Sequence, residues 1–241
     1  MTKIIPTEYT LPIKVASYDV GANNTMRLSA VLRYQQEAGE QHLVGAGLGW
    51  QDMLRMGMVF VTSRWHTLVH RLPAMEEQVT LTTWHRDRKG PRFFRCYEWR
   101  DAQGELLIEG VMQFALVSVA DHRLLRGTEF DVFGVADQPH RTVSCGDPSR
   151  WSLPSMTAVD TYTVRRSDID RNGHLNNTRY ADLLTDVLPT DAVSTIELQF
   201  AGECRLGDVI TLATGGEDAA YVSGTTPRGL AFAARVTTDG I

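Results

Sequence analysis

Cysteine is scarce in this chain. The three present, Cys96, Cys145 and Cys204, are odd in number and far apart, and no Cys-x-x-Cys occurs. A disulfide scaffold or a zinc knuckle is therefore not expected. Positive charge is also short: 24 Lys and Arg stand against 29 Asp and Glu, a formal net charge of -5. A whole-molecule attraction to nucleic acid or to an anionic membrane is not expected from such a balance. No apolar run is long enough for a bilayer-spanning helix. The N-terminus lacks the apolar core of a secretory signal, so a reducing, cytoplasmic setting is the expectation.

What is present is an ordinary globular composition, 43% hydrophobic and 22% charged over 241 residues. That length holds one large core or two small ones. Residues 10–20 read as a strand. Residues 28–43 read as a helix, with Leu28, Val31, Leu32 and Ala38 on one face and Arg33, Glu37 and Glu40 on the other. The glycines at 45, 47 and 49 follow a helix and lack the G-x-G-x-x-G spacing, so they stop that helix instead of cradling a nucleotide. Strands are predicted at 58–69, 78–86, 92–100 and 106–119, the last two joined by a hairpin at Asp101–Gly104.

Residues 126–160 are punctuated by glycine and proline and read as a connector. The first order of elements then returns. A strand is predicted at 161–166. A helix carrying Tyr180, Leu183, Leu184 and Val187 stops before Pro189. Strands follow at 194–200, 209–213, 219–223 and 230–237. A gapless echo supports duplication: Asp19 faces Asp168, Val20 faces Ile169 and Asn23 faces Asn172. In the same alignment Asp170 faces Gly21 and His174 faces Thr25. The second copy alone carries those ionisable groups. The expected class is α+β, with residues 1–135 and 161–241 as two similar units and 136–160 between them.

The segment from Ser167 to Tyr180 packs two acids, three asparagines and one histidine into fourteen residues. Turn chemistry explains part of this: Asn176 or Asn177 can cap the following helix, and Gly173 permits a positive φ. It leaves Asp170 and His174 unexplained. A helix start offers amides that can polarise a carbonyl, and His174 can move protons near neutral pH. Asp170 and Asn172 can fix the imidazole or a water. Glu203 and Cys204 fall where the next strand ends, and could face this turn. His174 and Glu203 alone are too few ligands for a metal hydrolase, so no metal or other cofactor is expected.

At these residues the chain resembles the acyl-acyl carrier protein thioesterases of bacteria and plants. The motif Asp-x-Asn-x-His-x-Asn-Asn-x-x-Tyr stands complete as Asp170, Asn172, His174, Asn176, Asn177 and Tyr180. A second motif, Glu-Cys-x-x-Gly-Asp, stands as Glu203, Cys204, Gly207 and Asp208. The resemblance implies a tandem hotdog, two antiparallel sheets each wrapped on a long helix. It implies hydrolysis of the thioester joining a fatty acyl chain to acyl carrier protein, ending chain elongation. Glu203 would activate water, His174 would assist proton transfer, Asn172 would orient the water or carbonyl, and Asp170 would hold the set. A second reading of the family makes Cys204 the nucleophile. No sequence feature lowers its pKa, which favours the carboxylate route.

The resemblance gives the first half the acyl tail, on a wall expected to include Trp50, Met56 and Met58, with Met53 and Leu54 beside them. Asn176 is a further candidate for substrate contact. The carrier is acidic, so a local basic face is expected. The candidates are Arg86, Arg88, Lys89, Arg92 and Arg95, or Arg165, Arg166, Arg171 and Arg179 near the turn. Ala201 and Gly202 stand where plant members often carry basic residues, which leaves carrier contacts and acyl length undetermined. A homodimer is compatible with all of this. The alternatives are a hotdog thioesterase acting on acyl-CoA and an acyl-binding module without turnover.

Overall fold

The computed structural model describes residues 6–190, 192–217 and 219–238. Its strands are β1 (Glu8–Lys14), β2 (Met58–Val69), β3 (Gln78–Lys89), β4 (Arg92–Asp101), β5 (Leu106–Ser118), β6 (Met156–Thr163), β7 (Val193–Phe200), β8 (Val209–Gly215), β9 (Ala220–Thr226) and β10 (Gly229–Thr238). Its α-helices are α1 (Leu28–Ala46), α2 (Trp50–Arg55) and α3 (Arg179–Val187). The strands form one sheet in the order β1-β3-β4-β5-β2-β7-β10-β9-β8-β6. Adding five to each strand of the first half-sheet, β1-β3-β4-β5-β2, gives the second, β6-β8-β9-β10-β7. The fold is a tandem hotdog whose two sheets have fused.

The fusion is the antiparallel pairing of β2 with β7, Arg64–Leu68 against Thr195–Gln199. Helix α1 packs on β1 and β3, α3 packs on β6 and β8, and the two helices touch. The amphipathic pattern of α1 places Leu28, Val31, Leu32 and Ala38 in the core. Its end is the glycine stop, Gly47 taking the left-handed conformation at φ 80°. Trp65, Trp84, Trp99, Tyr97, Phe93 and Phe232 are fully buried. The Trp65 indole N–H donates to Gln35 Oε1 at 2.8 Å, which satisfies a polar edge inside the core.

The structure departs from the sequence pattern in several places. Strand β1 ends at Lys14, because residues 17–19 turn tightly into the loop before α1. Strand β6 begins at Met156, inside the predicted connector. The rest of that connector is a strap. Trp84 Nε1 donates to the Arg141 carbonyl at 2.9 Å, and the Arg141 guanidinium stacks 3.7 Å over the Trp84 ring. Val143 and Cys145 cover Trp84, Phe94, Cys96 and Val111. Farther along, Ser149 donates through its amide (3.2 Å) and hydroxyl (3.0 Å) to Glu197 on β7. The strap thus crosses from one half-sheet to the other.

Close approach between β2 and β5 depends on Gly110. A Cβ there would stand 2.6 Å from Thr67 Oγ1 and 2.9 Å from the His66 carbonyl. Gly110→Ala is expected to lower stability by about 1–3 kcal/mol through this overpacking. A urea unfolding midpoint unchanged from wild type would show that the sheet absorbs the methyl.

Candidate active site

Both copies of the unit enter their helix through one backbone design. In the first, Gly21 N donates to the Thr25 carbonyl, Asn24 N to Gly21 and Arg27 N to Asp19. In the second, Asp170 N donates to His174, Gly173 N to Asp170 and Asn176 N to Asp168. The bridges Val20–Met26 and Ile169–Leu175 match as well. Each turn needs one positive φ, met by Asn24 at 59° and Gly173 at 82°. Each is anchored by a buried carboxylate. Asp19 accepts from Tyr34 Oη (2.8 Å) and Arg33 (3.0 Å), and Asp168 accepts from Tyr162 Oη (2.7 Å) and the Arg165 amide (2.8 Å). The sequence echo is therefore a backbone identity, and the added side chains of the second copy are not needed to make the turn.

Those side chains converge. Asp170 Oδ1 accepts the Asn172 amide at 2.8 Å and faces the His174 amide at 3.4 Å, while Asn172 Nδ2 reaches Asp170 Oδ2 at 3.4 Å. His174 Nε2 lies 3.0 Å from Glu203 Oε2. The Glu203 loop is tied to the turn by Leu175 N donating to the Cys204 carbonyl at 2.7 Å. In the first copy the corresponding bond runs from Met26 N to Pro73 at 2.8 Å. Leu72 and Pro73 thus occupy the places of Glu203 and Cys204. A clamp fixes the same loop from outside: Arg228 Nη2 donates to the Glu203 carbonyl at 3.2 Å and Nη1 to Asp208 Oδ1 at 3.0 Å.

Asp170, Asn172, His174 and Glu203 line a cavity of about 720 Å³, a size typical of small-molecule sites. Most of its other walls come from the first half: Leu32, Gly39 and Leu43 of α1, Trp50, Met53 and Leu54 of α2, and Phe60, Phe93, Met112 and Phe114 of the sheet. Arg171 locks the two halves at its rim. It makes a bidentate pair with Glu40 of α1 at 2.7 and 2.8 Å and stacks 4.7 Å over the Trp50 ring.

Two family profiles match this chain in order, the acyl-ACP thioesterase N-terminal domain over residues 6–129 and its C-terminal domain over residues 153–237. The chain belongs to the acyl-ACP thioesterase family. It is 26% identical over 227 residues to the chloroplastic oleoyl-acyl carrier protein thioesterase 2 of Arabidopsis thaliana, covering 84% of this chain and 61% of that one. It is 23% identical over 232 residues to the chloroplastic dodecanoyl-[acyl-carrier-protein] hydrolase of Cinnamomum camphora, covering 86% and 59%. The chain thus spans about three fifths of the length of these relatives. The fold is shared with an acyl-ACP thioesterase from Bacteroides thetaiotaomicron (TM-score 0.88, 18% identity, 97% of this chain and 98% of that one). It is also shared with the 12:0-ACP thioesterase from Umbellularia californica (TM-score 0.81, 22% identity, 97% of each chain).

Within this family member, several residues lie elsewhere than the sequence suggested. Cys204 does not line the cavity. It is fully buried, beside Tyr180, and burial pushes its thiol pKa up. Asn176 spends its side chain on the helix start, Oδ1 accepting Thr178 N and Oγ1 at 2.9 Å each, and Asn177 lines the cavity in its place. Met56 ends α2 facing outward, and Met58 packs behind the wall against the Phe93 and Leu116 cluster. Most of the first basic set is withdrawn from the surface: Arg86 pairs with Asp87 and Asp147, Arg88 with Asp131 and Lys89 with Asp147, Arg95 is buried, and Arg92 alone of the five stays exposed without an ion pair among the described residues. In the second set Arg171 and Arg179 are paired internally, and Arg165 and Arg166 are exposed.

Helix α2 and the Arg171–Glu40 pair were missed by sequence reasoning. Glu40 read as a solvent residue of α1; only the lone arginine in the opposite turn hinted at a partner. A second cavity of about 440 Å³ is the duplicate of the first, formed by the first-copy turn (Gly21, Asn23, Thr25), Leu72 and α3. It has the backbone of the site without its histidine or its glutamate.

The Arg228 pair holds the Asp208 carboxyl down at about 2, from an ordinary value of 3.8. A depressed carboxyl stabilises fully above its ordinary value and loses that contribution as pH falls through the folded one. Asp208→Asn is expected to lower the urea midpoint near neutral pH, and the gap from wild type is expected to close as pH falls from about 4 toward 2. A gap constant with pH would mean that the clamp acts through packing alone.

Proposed function

We propose that this chain hydrolyses the thioester of fatty acyl-acyl carrier protein, releasing free fatty acid and carrier and ending chain elongation. The observation that carries the reading is the 3.0 Å contact of His174 Nε2 with Glu203 Oε2 in the wall of an otherwise largely apolar cavity. A carboxylate hydrogen-bonded to an imidazole, beside a largely apolar slot, suits proton removal from a water that attacks a bound acyl ester.

In this reading water attacks the thioester carbonyl and gives a proton to Glu203. The C–S bond then breaks, and the leaving sulfur takes a proton through the Glu203–His174 pair. Asn172, held by Asp170, orients the water or the carbonyl oxygen. The amides at the start of α3 point the positive end of that helix toward the developing oxyanion. Burial of Cys204, with its raised thiol pKa, favours water over sulfur as the nucleophile. The acyl tail extends into the first half, between α1 and the sheet. Of the candidate basic residues, the exposed Arg165 and Arg166 beside the turn, with Arg92 farther off, are left to meet an acidic carrier. Three free cysteines accord with a reducing cytoplasm.

Thiol release from acyl-carrier and acyl-CoA thioesters of graded length tests this. Glu203→Gln is expected to lower kcat by about 10²–10⁴ fold, the usual worth of a general base, while Cys204→Ala stays within a few fold of wild type. The reverse ranking would make Cys204 the nucleophile, and absence of release from every thioester would leave a binding module. Charge reversal at Arg165 and Arg166 is expected to raise KM for the carrier ester and to spare the CoA ester. Equal effects on both esters would remove the docking role.

A further inference from the structure

The tail cavity is not uniformly apolar. Among the polar side chains of the first half that line it, three stand together deep in the sheet: His85 on β3, and Arg95 and Tyr97 on β4. His85 and Arg95 stand directly opposite each other across the strand pair, and Thr83 stands opposite Tyr97. All three side chains are at least nine-tenths buried: Arg95 is 5% exposed, His85 5% and Tyr97 0%.

Their hydrogen bonds are incompletely spent. Arg95 Nη1 donates to His42 Nδ1 at 2.9 Å and approaches Thr83 Oγ1 at 3.4 Å. Among the described residues no carboxylate pairs with this guanidinium. His42 cannot supply charge: burial, then the Arg95 cation, push its pKa down to about 4, and its Nε2–H donates to the Pro6 carbonyl at 2.8 Å. His85 turns Nδ1–H toward Asp137 at 2.7 Å, which leaves Nε2 as a bare acceptor, buried and without a partner. The Tyr97 hydroxyl lies beside Thr83 but makes no well-formed hydrogen bond. Gly39 of α1 admits this cluster, since a Cβ there would stand 3.2 Å from Tyr97 Oη and 3.3 Å from Arg95 Cδ.

A hydrocarbon tail would leave these groups unpaired in a low-dielectric slot, where each orphaned polar atom keeps its full desolvation penalty. An oxygen placed among them could accept from Arg95 and Tyr97, and a hydroxyl could also donate to His85 Nε2. Strand β4 lies three strands from β7, about 14 Å across the sheet, so the oxygen would sit far along the chain from the thioester. We infer that His85, Arg95 and Tyr97 form a polar subsite in the tail cavity that selects acyl chains carrying an oxygen function, a hydroxyl or a carboxyl, at the end remote from the thioester. The inference rests on the thioester-binding reading of the cavity.

Glu203→Gln protein, which should bind without turnover, separates this subsite from the chemistry. Acyl-pantetheine thioesters of graded length, ending in methyl, hydroxyl or carboxyl, are titrated into it by calorimetry. At some length an oxygen-ended ester is expected to bind at least about tenfold tighter than its methyl-ended counterpart, as a site with waiting hydrogen-bond partners discriminates. Adding Tyr97→Phe or Arg95→Lys should shrink that ratio, and the phenylalanine variant keeps the ring that fills the core. A stronger hydroxyl ester points to His85 as acceptor, and a stronger carboxyl ester to charge pairing with Arg95. Methyl-ended esters binding as tightly or more tightly at every length would overturn the subsite and leave the cluster a structural knot. Binding preference with no thiol release in the wild type would retain the subsite and sink the hydrolase.

Discussion

The pairing of β2 with β7 is the interaction on which the rest depends. Five residues on each strand join two half-sheets that are otherwise self-sufficient. The join sets α1 beside α3 and brings the His174 turn over a chamber built by the other half. Neither half holds a complete site. The second supplies the His174–Glu203 pair and the first supplies most of the apolar wall. The Arg171–Glu40 pair and the Trp50 ring close the same seam from the side of the helices.

Duplication makes the division of labour visible. The two helix-entry turns share hydrogen bonds, buried aspartates and a positive φ at the same place. The differences are few and chemical: Gly21 against Asp170, Thr25 against His174, and Leu72 with Pro73 against Glu203 with Cys204. Each first-copy substitution removes an ionisable or reactive group and keeps the fold. The helices diverged as well. α1 runs 19 residues and roofs a large cavity, and α3 runs 9 and roofs a smaller one.

Periodicity made most elements legible. The strand at 58–69 stands where its Val, Thr and aromatic residues placed it, and Pro189 ends α3 close to the predicted point, because local sterics decide both. The echo of Asp19 with Asp168 pointed to the correct backbone register. What stayed hidden depends on contacts distant in sequence. The strap reads as a loop, since its order comes from Trp84, Glu109 and Glu197, which lie on other elements. Arg95 read as one cation in a basic hairpin; its burial follows from the pleat of β4 and the small size of Gly39. Glu203 and Cys204 are adjacent, and sequence could not say which faced the histidine. The bond from Leu175 to the Cys204 carbonyl accompanies an arrangement in which the carboxylate faces the cavity and the sulfur is buried.

The shared sheet also has a consequence for synthesis. Residues 8–118 hold all five strands of the first half, so that half-sheet can form while the second half is still being made. Until β7 is made, β2 is an uncovered edge twelve residues long, with backbone donors and acceptors ready to pair with any extended chain. The true partner of Trp65, Leu198, is separated from it by more than half the chain, which makes the pairing slow to find. The strap emerges in that interval and its residue Ser149 bonds Glu197 of β7. Held to Trp84 and Glu109 of the first half-sheet at Arg141 and Ser144, the strap shortens the free chain between β5 and β7 and so the loop that this pairing has to close.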